Sequence, residues 1–508
     1  MYIVAIISAV VLASCGGSID EKSLEGRVAS FADNDTNVFA IVITDLDKII
    51  QKSGAFDGAL PEQYASVAAP FKDALYASIN LEKPLYFLLK GPLRSDNLDE
   101  LVLFFEVKDI ERLKKEFKQM DLNFSTDKTH SLAVKNELGI VISEGNIGMM
   151  VFNTNGNNVT AEKLRDLDKL SSKKVVNEKL INSLATKADI VLVSMLERVS
   201  KATKGFELSD ETQVNLAAST VDSYVVSTMN FNDGQAEVEL NFMFGEAMKK
   251  YLPLFQQNVS SNVFNSLGSG SPIMAMTMNL EFKKLFLSIY DNLDADDKSE
   301  IDQSLALVGG KDKMSNMFTG EVGVALFPSK DNTSNPIVNA YLGLNDGTYL
   351  KSLVTGFGPL VGMTTEANGS FRFNNDAIVK LDNQKMILST DVVGFNELLQ
   401  SKSSAIVMPS SFNLGNQPIS LFVDFSKLDL KDFPPNSHTF ITGMSFLQLE
   451  GSDKGVKVIV KAKDANKNML RQMLELVVKS IEAKIDYKYD PYEDDFMTEE
   501  ELEAFYSF

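Results

Sequence analysis

The sequence predicts an α+β fold, built as two tandem copies of an antiparallel sheet-plus-helices unit, with helices covering one face of each sheet. Three observations predict it. Strand-like stretches alternate apolar and polar residues and turn back at glycine-bearing corners, the mark of antiparallel hairpins with one buried face. Amphipathic helical stretches follow the strands and need a sheet on which to lay their apolar stripe. The order of these patterns in the first half of the chain recurs in the second.

The elements follow in order. Val38–Thr44 is a β-rich run that passes through Asp45 into a helical Leu46–Lys52. Ile190–Ser194 leads into Met195–Lys204, Pro272–Met278 passes through Asn279 into Leu280–Tyr290, and Pro418–Val423 passes through Asp424 into Phe425–Leu428. In three of these four junctions an Asp or Asn stands where strand becomes helix, so its side chain can accept a bond from a first-turn N–H. That role is structural, not catalytic.

Longer blocks match across the chain. Tyr86–Leu89, Leu101–Val107, Asp109 and a helix Ile110–Met120 find their counterparts in Gly323–Phe327, Val338–Leu344, Asp346 and a helix Thr348–Val354. The hairpin pattern Leu132–Lys135 with Gly139–Ser143 returns as Ala377–Leu381 with Lys385–Ser389, and the helical stretches Ala161–Leu170 and Gly394–Gln400 follow. Tyr224–Phe231 turns at Asp233-Gly234 into Ala236–Phe242, as Met444–Glu450 turns at Asp453-Lys454-Gly455 into Val456–Lys461. Each of these hairpins runs into an amphipathic helix, Glu246–Val263 and Ala465–Lys484. The body therefore divides into a first repeat, residues 30–264, and a second, 272–485, joined by a flexible Gly/Ser linker, Asn265–Ser271. Side-by-side halves with pseudo-twofold symmetry would allow one sheet to run through both.

The N-terminus carries an address. Residues 1–14 read as a signal peptide: Met1–Ala13 holds no charged side chain, and Ile3–Leu12 is apolar but too short to span a bilayer as a helix. Cys15, the one cysteine of the chain, follows Leu12-Ala13-Ser14. Leu-Ala-Ser-Cys resembles the bacterial lipobox, in which small residues admit a peptidase and the thiolate takes a diacylglyceryl group. Cys15 is thus the expected lipidation site, and residues 15–29 the tether. No Lys or Arg precedes Cys15, so the terminal amine is the only cation there, or the start lies upstream. The alternative is a buried N-terminal element with an inert Cys. Gly16 after the cysteine resembles lipoproteins released to the outer membrane, and Asp20-Glu21 resembles the surface-export signals of Bacteroidota lipoproteins.

Composition narrows the partners. A net charge of −20 argues against nucleic acid, which needs a basic footprint, and against electrostatic docking onto anionic lipid. One cysteine leaves no intrachain disulfide, so packing must stabilise the fold.

The catalytic toolkit is thin. The two histidines, His130 and His438, lie far apart in polar contexts, Lys128–Ser131 and Asn436–Thr439; they read as solvated loop residues rather than a metal or acid/base pair. The tail 486–508 carries eight acids from Asp490 onward, including Glu493–Asp495 and Glu499–Glu501. Neither it nor Asp291–Asp297 has the central Gly of a calcium loop, so both read as solvated charge. Thr498 with Glu501 fits a capping box, which would start a short helix with Leu502, Phe505 and Tyr506 on one face. Met274, Met276 and Met278 alternate along a strand; core packing is the expected role, a soft-metal site the sharper alternative. No nucleophile elbow, Walker loop or dinucleotide fingerprint occurs: Gly268–Gly270 reads as linker, and Gly356–Gly362 lacks a Lys partner.

The lipobox, the stretch Thr36–Gly54 with its strand, Asp45-Leu46, helix and Lys52-Ser53-Gly54, and the recurring blocks together resemble a Bacteroidota lipoprotein family, domain of unknown function 4836. The resemblance implies an envelope location and no specific chemistry. The expected function is accordingly that of a lipid-anchored cell-envelope protein at the outer membrane, periplasmic or surface-exposed, that binds or scaffolds and is not an enzyme. Its expected partners are the membrane, through the N-terminal lipid, and an envelope protein or an apolar ligand, with no metal or cofactor. Two alternatives remain open: a carrier holding an apolar ligand between sheet and helices, and a hydrolase, which would need a deep pocket joining His130 or His438 to carboxylates.

Overall fold

A computed structural model describes residue 20 and residues 22–487, apart from 94–97, 127–129, 176, 203–217, 250–253, 256–257, 292, 294, 308, 330–334, 374–375, 401–405, 410–411, 413–414 and 416. Cys15 and the acidic tail beyond Asp490 lie outside the described residues, as do the capping box and the apolar face expected around Leu502.

The β-branched and alternating runs form strands. In the first half these are β1 Val38–Thr44, β2 Leu85–Lys90, β3 Glu100–Glu106, β4 Ser125–Thr126, β5 Ser131–Lys135, β6 Leu138–Ser143, β7 Ile147–Asn153, β8 Ile190–Met195, β9 Tyr224–Asn232 and β10 Gln235–Met243. In the second they are β11 Met274–Asn279, β12 Phe318–Phe327, β13 Ile337–Leu344, β14 Met363–Thr365, β15 Phe371–Phe373, β16 Ala377–Leu381, β17 Lys385–Ser389, β18 Ile419–Asp424, β19 Met444–Ser452 and β20 Gly455–Ala462. The class is α+β, and all strands join one antiparallel sheet.

The first half pairs in the order β4-β5-β6-β7-β3-β2-β1-β8-β9-β10. The second pairs in the order β14-β15-β16-β17-β13-β12-β11-β18-β19-β20. The two series meet where β10 lies antiparallel to β20, with Val238 opposite Val458. A single sheet therefore runs through the whole described body.

Register assigns every strand residue to one of two faces. Face 1 carries Ile41, Leu88, Val102 and Val193 in the first half and Ala275, Ala325, Tyr341 and Ile387 in the second. Helices Leu24–Asn34, Ala161–Leu170 and Glu178–Leu184 seal it in the first half, where Val28, Phe31 and Leu164 are fully buried. Helices Ser261–Asn265 and Phe395–Gln400 do so in the second. Face 2 carries Phe87 and Leu103 in the first half, against which Leu75, Ile110 and Phe117 pack from helices Glu62–Ser78 and Ile110–Gln119. Helices thus stand on both faces, where one covered face was expected. The reason is legible afterwards: Val38–Ile43 and Leu85–Leu89 are apolar at nearly every position, so neither side of these strands can be left wet.

Two other expectations change. The Asn265–Ser271 segment is no free joint: Leu267 is wholly buried, and its carbonyl accepts from Asn339 Nδ2 at 3.0 Å. The helix expected over Glu246–Val263 is not continuous: Glu246–Lys249 and Ser261–Asn265 are helical, but residues 254–255 and 258–260 between them are not. Asp45 and Asp424 cap as expected, accepting from Lys48 N at 3.2 Å and Ser426 N at 3.0 Å. Asn279 does not; its side chain donates to the Asn258 carbonyl at 3.2 Å.

Candidate binding surface

Strand β11 is the centre of the second half, hydrogen-bonded on one side to β12 and on the other to β18. Its sequence Met-Ala-Met-Thr-Met-Asn puts the three methionines on one face and Ala275 and Thr277 on the other. Ala275 and Thr277 are fully buried on face 1. The methionines, on face 2, are only half-buried. They were expected in a sealed core, and they are not.

Their cross-strand neighbours are all apolar and half-buried as well. Leu326, Val324 and Val322 of β12 stand opposite Met274, Met276 and Met278, and Val423, Leu421 and Ile419 of β18 flank them on the other side. The layer continues through Leu447 and Leu449 of β19 into Val456, Val458 and Val460 of β20 and Val238 of β10. One unbroken apolar face thus crosses the junction of the halves. Face 1 at that junction is charged instead: Lys457 bonds Glu237 and, at 3.0 Å, Glu239.

The helices over this part of face 2 are loosely held. Helix Phe282–Asp291 buries none of its residues, and its Phe282 ring touches Phe318 edge-on at 5.0 Å. Helix Gly347–Phe357 buries only Gly347. Leu24–Asn34, over face 1, buries seven residues in a shorter span than the two together. Methionine suits such a place: it is unbranched and polarisable, and adapts to whatever shape lies against it.

Elsewhere the structure gathers polar side chains for structural ends. His130 is not a solvated loop residue. Its Nε2 meets Asp168 Oδ2 at 3.0 Å, and Arg27 holds the other oxygen of that buried carboxylate at 2.6 Å. His438 lies in the helix Pro435–Gly443, its Nε2 2.9 Å from the Phe433 carbonyl. The expected loop placement fails there because Pro434 and Pro435 favour a helix start, with Pro at the first position. The two histidines are not brought together. Among the described residues no three His, Cys, Asp or Glu side chains are grouped to hold a metal.

A buried charge cluster that sequence reasoning missed lies under Phe31. Lys90, Glu100 and Asp35 are each less than a tenth exposed; Lys90 Nζ bonds Glu100 and, at 2.9 Å, Asp35, while Lys163 bonds the other Glu100 oxygen. Burial opposes the charge on Lys90, yet the two carboxylates outweigh it and hold its pKa above the ordinary value. The partners sit up to 128 positions apart along the chain (35 to 163), so no local spacing announces them.

Surface hollows lie apart from the methionine face. One of about 630 Å³ opens between helices Phe282–Asp291 and Ala295–Leu307, lined by Tyr290, Lys298 and Asp302. Another of about 420 Å³ is lined by Lys52, Asp464, Lys467 and Arg471. Both are polar-edged and open to solvent. No helix among the described residues is long and apolar enough to cross a membrane.

No family model matches the chain. No curated protein matches it either. Among solved structures, crystal form III of TP0453 is similar at 9% identity and a TM-score of 0.27, covering 43% of this chain and 80% of that one. Crystal form I aligns at 8% identity and a TM-score of 0.27, covering 46% and 81%. Crystal form IV aligns at 11% identity and a TM-score of 0.25, covering 43% and 97%. Similarity at this level carries no inference about fold or function.

Proposed function

We propose that this chain is a lipid-anchored envelope protein that acts by binding, and that the half-open methionine face of its second half receives an apolar ligand with long hydrocarbon segments. The observation that carries the reading is the contrast between the two faces of β11: fully buried Ala275 and Thr277 on one side, half-buried Met274, Met276 and Met278 on the other. A soluble domain rarely leaves so continuous an apolar layer half covered unless something occupies it. The helices above it have one buried residue between them, Gly347, so they are held less firmly than the helices over face 1. The envelope address rests on Leu12-Ala13-Ser14-Cys15 and on the likeness to domain of unknown function 4836.

Two experiments test the reading separately. Mass spectrometry of the natural N-terminal peptide should find Cys15 as the first residue, carrying diacylglyceryl; an unmodified thiol in an uncleaved chain would remove the anchor. Titration of the full chain with palmitate should show saturable binding that Met276→Glu weakens at least tenfold. Binding that Met276→Glu leaves unchanged, or no binding by any long-chain apolar compound, would remove the ligand reading.

A further inference from the structure

We propose that the helices over face 2 form a bilayer-docking surface, through which the body lies against phospholipid head groups. This rests on face 2 being the working side, as argued above, but concerns the outer side of its helical layer.

Large apolar side chains left in water are unevenly distributed. On the helices that seal face 1, none stands exposed among the described residues, although Val393 (93%) and Val407 (59%) in segments beside that core and Val134 (42%) on face 1 of β5 do. On the elements over face 2 they recur along the whole sheet. Helix Glu62–Ser78 presents Tyr64, Val67 and Phe71, exposed by 37%, 67% and 62% and spaced to share one stripe. In the second half, Phe357 and Leu360 of Gly347–Val361 are exposed by 59% and 81%, and Ile289 of Phe282–Asp291 by 57%. Phe440 and Val477 stand out from the adjoining helices Pro435–Gly443 and Met469–Tyr487.

That these elements lie over face 2 follows from the clusters their other side chains join. Leu75 joins the same apolar cluster as Phe87 and Leu103, Leu350 and Val354 the same cluster as Leu342 and Leu388, and Met473 and Leu476 the same cluster as Met229 and Val460. Each of those strand residues is on face 2 by register.

Charge selects the occupant. The chain has 69 acids, yet Gly347–Thr365 contains none and one exposed cation, Lys351. Helix Phe282–Asp291 has two exposed cations, Lys283 and Lys284, and one acid, Asp291, at its C-terminal end. Pro435–Gly443 holds no Asp, Glu, Lys or Arg. Glu62–Ser78 and Met469–Tyr487 carry acids, Glu62, Asp73 and Glu475 among them, but the acid-poor apolar elements of the second half, with a few lysines beside them, suit the phosphate level of a bilayer, where apolar side chains enter the acyl boundary and ammonium groups meet phosphate. The spread over five separate elements in both halves fits a wide, flat occupant better than a peptide or a small molecule.

Cys15 is the only thiol, so single-cysteine reporters are available without further engineering of the body. In the full chain with Cys15→Ala, Phe71→Cys, Leu360→Cys or Glu162→Cys would each carry an environment-sensitive fluorophore; Glu162 is exposed on a face 1 helix. With phosphatidylcholine vesicles, labels at 71 and 360 should shift to the blue and lose most of their iodide quenching, while the label at 162 should not change. Equal responses at all three sites, or flotation with vesicles and no response at 71 and 360, would overturn the proposal. So would shielding that appears without vesicles and grows with protein concentration, since the face would then meet a second copy. None of these outcomes touches acylation of Cys15, which the mass of the N-terminal peptide reads, or palmitate binding at the methionine face.

Discussion

Replacing Lys90 by methionine should destabilise the first half more than any surface charge change. The side chains of Lys90, Asp35 and Glu100 are 9%, 9% and 4% exposed, so the ion pairs are held in a medium far less polar than water. Methionine keeps the length of the side chain but leaves Asp35 without its ammonium and Glu100 with Lys163 alone. Removing one partner of a buried pair costs about 3–5 kcal/mol, chiefly because a charge is left buried and uncompensated. With a urea slope of about 3 kcal/mol/M, the midpoint of the full chain's first-half transition should fall by about 1–1.7 M. Lys163 is 37% exposed, and Lys163→Met should cost about 1 kcal/mol or less because water screens the pair. The double variant Lys90→Met/Asp35→Asn should lose less than the sum of the single changes. A Lys90→Met midpoint within about 0.2 M of the parent would refute the reasoning. So would a loss no larger than that from Lys163→Met. Since the folded pKa of Lys90 lies above its ordinary 10.5, the stabilisation is complete below that pH and is lost as pH rises through the folded value.

Met149 is 1% exposed within the sealed first-half core, so Met149→Ala should cost about 2–5 kcal/mol. The chemically identical Met276→Ala, on the half-open face, should cost about 1 kcal/mol, and equal losses in urea titration would show that face 2 is packed as tightly as face 1. Gly320 sits at φ +100° in the β12 irregularity, where an added Cβ would lie 1.6 Å from the Leu280 carbonyl oxygen; Gly320→Ala should cost about 2 kcal/mol or more, and an unchanged melting temperature would contradict the backbone geometry. Burial pushes the Tyr341 phenol up to about 12, with Glu321 and Asp382 adding repulsion. Its neutral form therefore stabilises the fold below pH 10 and loses that contribution as pH rises from 10 toward 12; phenolate absorbance that appears for Tyr341 near 10 in the folded protein would contradict this.

Local pattern was enough to place the hairpins. Asp233-Gly234 and Asp453-Lys454 each join strands whose limits differ by a residue or two from the alternating runs, because a two-residue turn fixes the register of everything it connects. The caps at Asp45 and Asp424 were equally local. What sequence could not supply was which partner covers which face. Met274–Met278 reads as core because alternation marks one apolar side, but alternation is silent on whether a helix seals that side or merely rests on it. His130 reads as a loop residue because Asp168, which meets it, and Arg27, which holds that carboxylate, come from helices on either side of it in the chain. The charge cluster around Lys90 was hidden for the same reason. The packing of Leu267 was hidden by its glycine and serine neighbours, which resemble a linker whether or not a leucine among them is buried.

Binding at the methionine face requires face 2 of β11 to be open enough to take an apolar ligand. Peroxide oxidation of the full chain, read methionine by methionine by mass spectrometry, tests this most directly. Met274, Met276 and Met278 should oxidise well ahead of the buried Met149, and palmitate should slow all three while leaving exposed Met120 unaffected. Oxidation of the three at the rate of Met149, or oxidation that palmitate does not change, would contradict the account.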